Sequence, residues 1–301
     1  MIVQNNTKEQ ECNPFVPLIP GEVHRVRAIC QHRAAHLVLH GGMANVHLER
    51  NGAVATLILD DVRRKNAMSP ELGDALASRV KEIAADASVR AVVLTGAGDA
   101  FSAGGDLAML ERLRASTFEE ARTFMYGFYR RYLAITELPV PVIAAVKGAA
   151  IGAGLCVALA ADIIIVDEDS KLAVNFTTLG LHPGMGATYL VPRRVGPQRA
   201  AELLMTGRRF GGRDAVAWGM ALEACASARV LERAQEVAQQ IADAAPLATR
   251  ALKQSLGIDR GALAAALDRE AREQAGSYAS EDLGEGLRAV AEKRKPVFAG
   301  R

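Results

Sequence analysis

Apolar residues recur along this chain in two alternating rhythms. Val54-Ala-Thr-Leu-Ile-Leu59, Ala91-Val-Val-Leu-Thr95, Val142–Val146 and Ile163-Ile-Ile-Val166 are short apolar runs rich in β-branched residues, and each reads as a strand. Between the first two, Leu72, Leu76, Val80 and Ile83 recur at helical spacing behind Ser69-Pro70. Serine before proline supplies an N-cap and a first-turn residue whose missing N–H costs nothing. A helix-rich stretch spans 106–138 and carries Met125, Tyr126, Phe128, Tyr129 and Tyr132, read chiefly as core packing, with a flat acyl pocket as the alternative use. A buried helix begins at Ala153, and Asp167-Glu-Asp169 ends the strand that follows it. From Pro197 onward the pattern is almost wholly helical, over 199–206, 212–220, 227–244, 246–256 and 260–275. Strand–helix alternation followed by helices alone predicts an α/β core with a helical C-terminal region.

Composition narrows the function classes. With 301 residues, half of them hydrophobic, the chain can bury a large core. A formal net charge of +2 and 5% aromatics, with no basic stripe, argue against a nucleic-acid partner. Cys12, Cys30, Cys156 and Cys225 are scattered, so neither a zinc site nor a disulfide framework is expected. No basic segment leads into an apolar one at the start, and no uncharged run of 18 apolar residues occurs. The expectation is a cytoplasmic protein without a membrane segment.

Residues 1–42 differ from the rest, with Pro14, Pro17 and Pro20 ahead of an Arg/His-rich run. They are read as a flexible extension, and Met43 as an alternative first residue. His32, His36 and His40 share one helical face, but no carboxylate or cysteine completes a metal set, so no metal is expected.

Two segments carry the candidate chemistry. Phe101-Ser-Ala-Gly-Gly-Asp-Leu107 and Gly148-Ala-Ala-Ile-Gly-Ala-Gly-Leu-Cys156 each follow a strand and lead into a helix. Small residues at such turns leave backbone N–H groups uncovered, and two turns brought together could aim two donors at one oxygen, forming an oxyanion hole. Asp106 reads as the N-cap of the helix it precedes.

These segments, in one order with Arg64-Lys-Asn-Ala-Met68, Ala161-Asp-Ile-Ile164, Leu179-Gly-Leu-His-Pro-Gly-Met-Gly186, Leu204-Met-Thr-Gly207 and the tail from Asp282 through Pro296, resemble the crotonase superfamily of enoyl-CoA hydratases and isomerases. The resemblance runs from about Val46 to the C-terminus. It implies a ββα spiral core over 43–196, a helical region over 197–301 that closes the coenzyme A site, and a homotrimer or hexamer. It implies an acyl-CoA or acyl-carrier thioester as the ligand, with coenzyme A part of the substrate and no separate cofactor. The amides of Gly105 and Ala153 fall where the family binds the thioester carbonyl. Arg64, Lys65, Asn66, Ala67, Ala103, Asp106 and Leu107 fall along the adenine end.

The acid and base positions depart from the family's hydratases. Their two glutamates correspond here to Cys156 and Phe176, and neither 143–161 nor 170–201 contains any carboxylate. Phenylalanine cannot transfer a proton, and a cysteine in an apolar helix is a poor thiolate. Efficient hydration of crotonyl-CoA is therefore not expected. His182 is the one histidine after His47 and is a candidate acid or base, with a turn residue as the alternative. Gly184 matches the position whose amide touches the hydratases' catalytic water. Asn175-Phe176 followed by Pro183–Thr188 also looks like the decarboxylating crotonases, although residues 183–301 lack the histidine those enzymes use. The readings are a lyase or isomerase working through an enolate, an acyl-thioester decarboxylase, or a non-catalytic acyl-CoA-binding subunit.

Overall fold

Strands β1 (Asn45–Asn51), β2 (Val54–Asp60), β3 (Ala91–Gly96), β5 (Val142–Val146), β7 (Ile163–Asp167) and β9 (Glu223–Cys225) form one sheet in the order β1-β2-β3-β5-β7-β9. Every neighbour is parallel except β1, which runs antiparallel to β2. A second, three-stranded parallel sheet holds β4 (Ala100–Ser102), β6 (Ala149–Ile151) and β8 (Lys171–Ala173) in that order. The helices are α1 (Pro70–Ala84), α2 (Leu107–Leu113), α3 (Phe118–Leu133), α4 (Ala153–Leu159), α5 (Ala187–Thr206), α6 (Gly212–Ala217), α7 (Val230–Asp243), α8 (Pro246–Leu256), α9 (Arg260–Tyr278) and α10 (Glu281–Ala291). This is the mixed α/β crotonase-type fold. The computed structural model describes residues 44–301. The reading of 1–42 as a flexible extension, and its histidine set, lie outside the described residues.

Side chains alternate across a strand, and both faces of the main sheet are apolar. Val54, Ala91, Val93, Ile143, Ala145 and Ile165 pack under Val230, Ala234, Val237 and Ala238 of α7. The opposite face, with Leu57, Leu59, Val92, Leu94 and Ala144, joins the larger core beneath α1, α3 and α4. A parallel strand is covered on both sides, which is why β2, β3, β5 and β7 read as continuous apolar runs rather than alternating ones.

The helix-rich stretch over 106–138 divides into α2 and α3, because Thr117 and Glu120 form a capping box that starts α3 afresh. The run read as 212–220 ends at Ala217, where Gly219 adopts φ +75° and turns the chain into β9. Glu223-Ala-Cys225 has no strand pattern of its own; pairing with Ile165, Val166 and Asp167 recruits it. The helix read as 199–206 belongs to α5, which bends at non-helical Gly196. Helix α10 was not expected from the tail; Ser280 caps it.

Candidate active site

The two small-residue turns meet because of strand register. Strands β3 and β5 run in parallel with Thr95 opposite Ala145, so the chain leaves both at the same edge. Each then adds one strand of the second sheet, and Ser102 of β4 pairs with Ala150 of β6. Three residues beyond each paired residue stand Gly105 and Ala153. Both line one cavity of about 440 Å³. Their N–H groups have no hydrogen-bond partner among the described residues. For Ala153 this follows from its place as the first residue of α4, whose opening amides have no intrahelical acceptor. Gly104, at φ +92°, makes the approach possible, since a Cβ there would stand 2.6 Å from the Ile151 carbonyl oxygen.

The 64–68 segment braces the first turn. Ala103 N–H donates to the Lys65 carbonyl (2.9 Å), Met68 N–H to that of Gly104 (2.7 Å), and Asp106 N–H to that of Met68 (3.1 Å). Arg64 and Ala67 consequently share the cavity wall with Ala103, Asp106 and Leu107. Lys65 and Asn66 do not line it. The Lys65 ammonium is largely exposed and 3.8 Å from Asp99. Asn66 is fully buried and structural: its carboxamide accepts from Asp61 N–H and donates to the Ala97 and Ala100 carbonyls at 2.8–2.9 Å. Asp106 caps α2 through Met109 N–H (2.9 Å) and pairs with Arg64 (2.8 Å), so the sole carboxylate that the described residues place on the cavity wall is already engaged.

The candidate acid/base residues are distributed unequally. Phe176 lines the cavity. Cys156 is fully buried on α4, off the cavity wall, and burial pushes its thiol well above the ordinary range. A thiol held neutral in that way is neither base nor nucleophile. His182 also stands off the wall. Its backbone N–H donates to Ser277 Oγ (3.1 Å), and its Nδ1 lies 2.7 Å from the Pro183 carbonyl. That oxygen only accepts, so Nδ1 carries the proton. Gly184 is absent from the wall too, but it packs against Tyr129 Oη and the Gln274 carboxamide, where a Cβ would stand 2.5 and 2.7 Å away.

Several polar residues at this site escaped the sequence reading. Gln274 and Arg209 line the cavity, and Met125, Phe128 and Tyr129 of the aromatic cluster join them, the pocket use that stands as the alternative to core packing. Behind the wall, the buried Glu270 carboxylate accepts from Gly186 N–H (2.6 Å), Thr188 N–H (2.7 Å) and Thr188 Oγ1 (2.6 Å). Desolvation pushes its pKa up to about 7, against the opposing pull of those donors. One signal could have found this pair. Leu263, Leu267, Glu270, Gln274 and Tyr278 share the buried stripe of α9, and polar residues on an apolar stripe are there for their partners.

Residues 49–301 match the family described as enoyl-CoA hydratase/isomerase. The chain belongs to that family. It is 37% identical over 253 residues to a Thermus thermophilus protein that carries an enoyl-CoA hydratase name, covering 82% of this chain and 98% of that one. It is 34% identical over 271 residues to the carnitinyl-CoA dehydratase of Proteus mirabilis, covering 85% and 99% respectively. Its fold matches the crystal structure of an enoyl-CoA hydratase/isomerase from Pseudoalteromonas atlantica with a TM-score of 0.75 and 29% identity, over 85% of this chain and all of the other. Among the described residues no helix is long and apolar enough to cross a membrane, and no group of three His, Cys, Asp or Glu side chains could hold a metal ion.

Proposed function

We propose that this enzyme binds the thioester of an acyl-CoA, or of an acyl carrier, with the carbonyl oxygen between the N–H groups of Gly105 and Ala153. Removing charge from the α-carbon then gives an enolate whose oxygen the two donors stabilise. The observation that carries this reading is the pair of unpartnered amides on one largely apolar cavity. Each preorganised donor of this kind is worth roughly 3–4 kcal/mol of barrier in an enzyme site. Coenzyme A enters as part of the substrate, its adenine end along Arg64, Ala67, Ala103, Asp106 and Leu107. Within this reading the enzyme is a cytoplasmic lyase or isomerase that assembles as a trimer or hexamer.

Crotonyl-CoA is a poor substrate in this reading, because Phe176 and Cys156 stand where hydratases use glutamates. Asp106 does not replace them, being held by Arg64 and by the start of α2. The same observation favours a second reading, decarboxylation of an acyl thioester. Carbon dioxide leaves as the C–C bond breaks, the electron pair passes into the enolate, and solvent later supplies the proton. That sequence needs the two amides and no general base.

Calorimetry with acetyl-, crotonyl- and malonyl-CoA tests the proposal, each thioester then being assayed for turnover. Binding with turnover of any one supports it. Absence of heat with all three at millimolar concentration overturns it, and binding without turnover of any leaves only an acyl-CoA-binding subunit.

A further inference from the structure

A second cavity, of about 390 Å³, shares no lining residue with the candidate active site. It lies at the other end of α4. Ala153 opens that helix on the first cavity, and Leu159, which closes it about 9 Å away, lines the second. Leu190, Ile241, Leu252, Leu256 and Ile258 give the second cavity an apolar body. Its charged lining is one-sided: Arg193, Arg194 and Lys253 stand on the wall with Asp162, the one carboxylate among the described residues there.

The contacts of each cation place its head group against the wall. Lys253 Nζ donates to Asp162 Oδ2 (2.9 Å) and to the Val140 carbonyl (2.8 Å), which leaves one of its three protons unspent. Arg194 donates to the carbonyls of Leu159, Ala161 and Asp162, where α4 ends. Arg193 donates to the Gly257 carbonyl (3.3 Å) at the rim. Neither arginine has a carboxylate partner among the described residues. Carbonyl oxygens explain where Arg194 sits, but they carry only partial charge and do not balance it. Burial pulls both the Lys253 ammonium and the Arg194 guanidinium below their usual pKa, with Asp162 opposing. Cations on a low-dielectric wall concentrate their field on an anion that enters.

We propose that this cavity is a second ligand site, which takes a small organic carboxylate with an apolar body, its head group met by Lys253, Arg193 and Arg194 and its chain by the leucine and isoleucine side chains. A cavity of this size suits a small molecule. The proposal does not depend on the thioester reading, because the two cavities have separate walls.

Calorimetry on the full chain with octanoate, octylammonium and inorganic phosphate tests it. Octanoate is expected to bind with a millimolar or tighter Kd, and neither octylammonium nor phosphate to match it, since one has the wrong charge and the other no apolar body. Arg193 is exposed on the rim, and Arg193→Gln should weaken octanoate by about two- to fivefold, the worth of a surface ion pair. Thr249 is half-buried on the wall, so Thr249→Trp should fill the cavity and abolish binding, with circular dichroism confirming the fold. Absence of heat with octanoate overturns the inference and leaves the groove to a second copy of the chain, since Leu252 and Leu256 on its wall are exposed. Equal binding of octylammonium overturns it on the charge. Octanoate binding unchanged in either folded variant places the ligand elsewhere, the first cavity included, and overturns it as well.

Discussion

Glu270 accepts the Gly186 N–H at 2.6 Å, so a carboxylate 84 residues distant in sequence closes the first turn of α5. Two further residues of α9 clamp the segment leading into that turn: Gln274 holds the His182 carbonyl and Ser277 the His182 N–H. Between these clamps sits Met185, on the cavity wall and in the left-handed region at φ +60°. A non-glycine residue in that conformation costs of order 1 kcal/mol or more and persists only where its surroundings hold it.

Glu270 should give the fold a characteristic pH dependence. Its folded-state pKa is pushed up to about 7, above the usual carboxylate range. Between about pH 4.5 and 7 the folded state holds the proton more tightly than the unfolded one. Its contribution to stability is therefore fully present below that window and is lost as pH rises through 7. The loss is on the order of 3 kcal/mol by linkage. Thermal unfolding at pH 5 and pH 8 should show it, and Glu270→Gln should match wild type at pH 5 while losing the slope. An equal slope in both proteins would assign the effect elsewhere.

The two amides can be deleted one at a time. Ala153→Pro removes only a donor, since proline is accepted at the first helical position. It should lower kcat by about 10²–10³-fold with near-native circular dichroism. Gly105→Pro should do the same. Unchanged turnover in either variant would place the oxyanion site elsewhere.

Phe176 and Cys156 should respond differently to a carboxylate. Phe176→Glu puts the group on the cavity wall and should raise crotonyl-CoA hydration over a very low wild-type rate. Cys156→Glu would bury an unpaired carboxylate in α4 at a cost of several kcal/mol, and a collapse in melting temperature is expected. Efficient hydration by the wild type would contradict the assignment of these positions.

His182 is tied into its turn rather than facing the cavity. Turnover by His182→Gln should stay within about threefold of wild type, whereas loss of general acid–base help costs about 10²–10⁴-fold. Steady-state kinetics on the preferred thioester separates the two.

Among the described residues, helix α8 has none buried, and Leu247 and Leu256 are 79% and 72% exposed. Light scattering is expected to give three or six times the 32.0 kDa protomer mass. Leu252→Asp with Leu256→Asp should shift that value downward. A wild-type monomer at micromolar concentration would exclude the assembly.

The sequence by itself determined the central strands, the two donor-bearing turns and the caps at Ser69 and Asp106. Each rests on a local cause: continuous apolar runs, small residues at a strand end, or a side-chain oxygen three residues before its N–H partner. Only the tertiary structure decided that Asn66 braces strand ends instead of facing a ligand and that Glu223–Cys225 becomes a strand. It likewise brought Glu270, Gln274 and Ser277 onto the 182–188 segment. Their partners lie more than eighty residues away, and no local pattern specifies which distant backbone a buried polar side chain will satisfy. Packing decides that, because in a dry interior each such group must find a partner or cost the fold its desolvation.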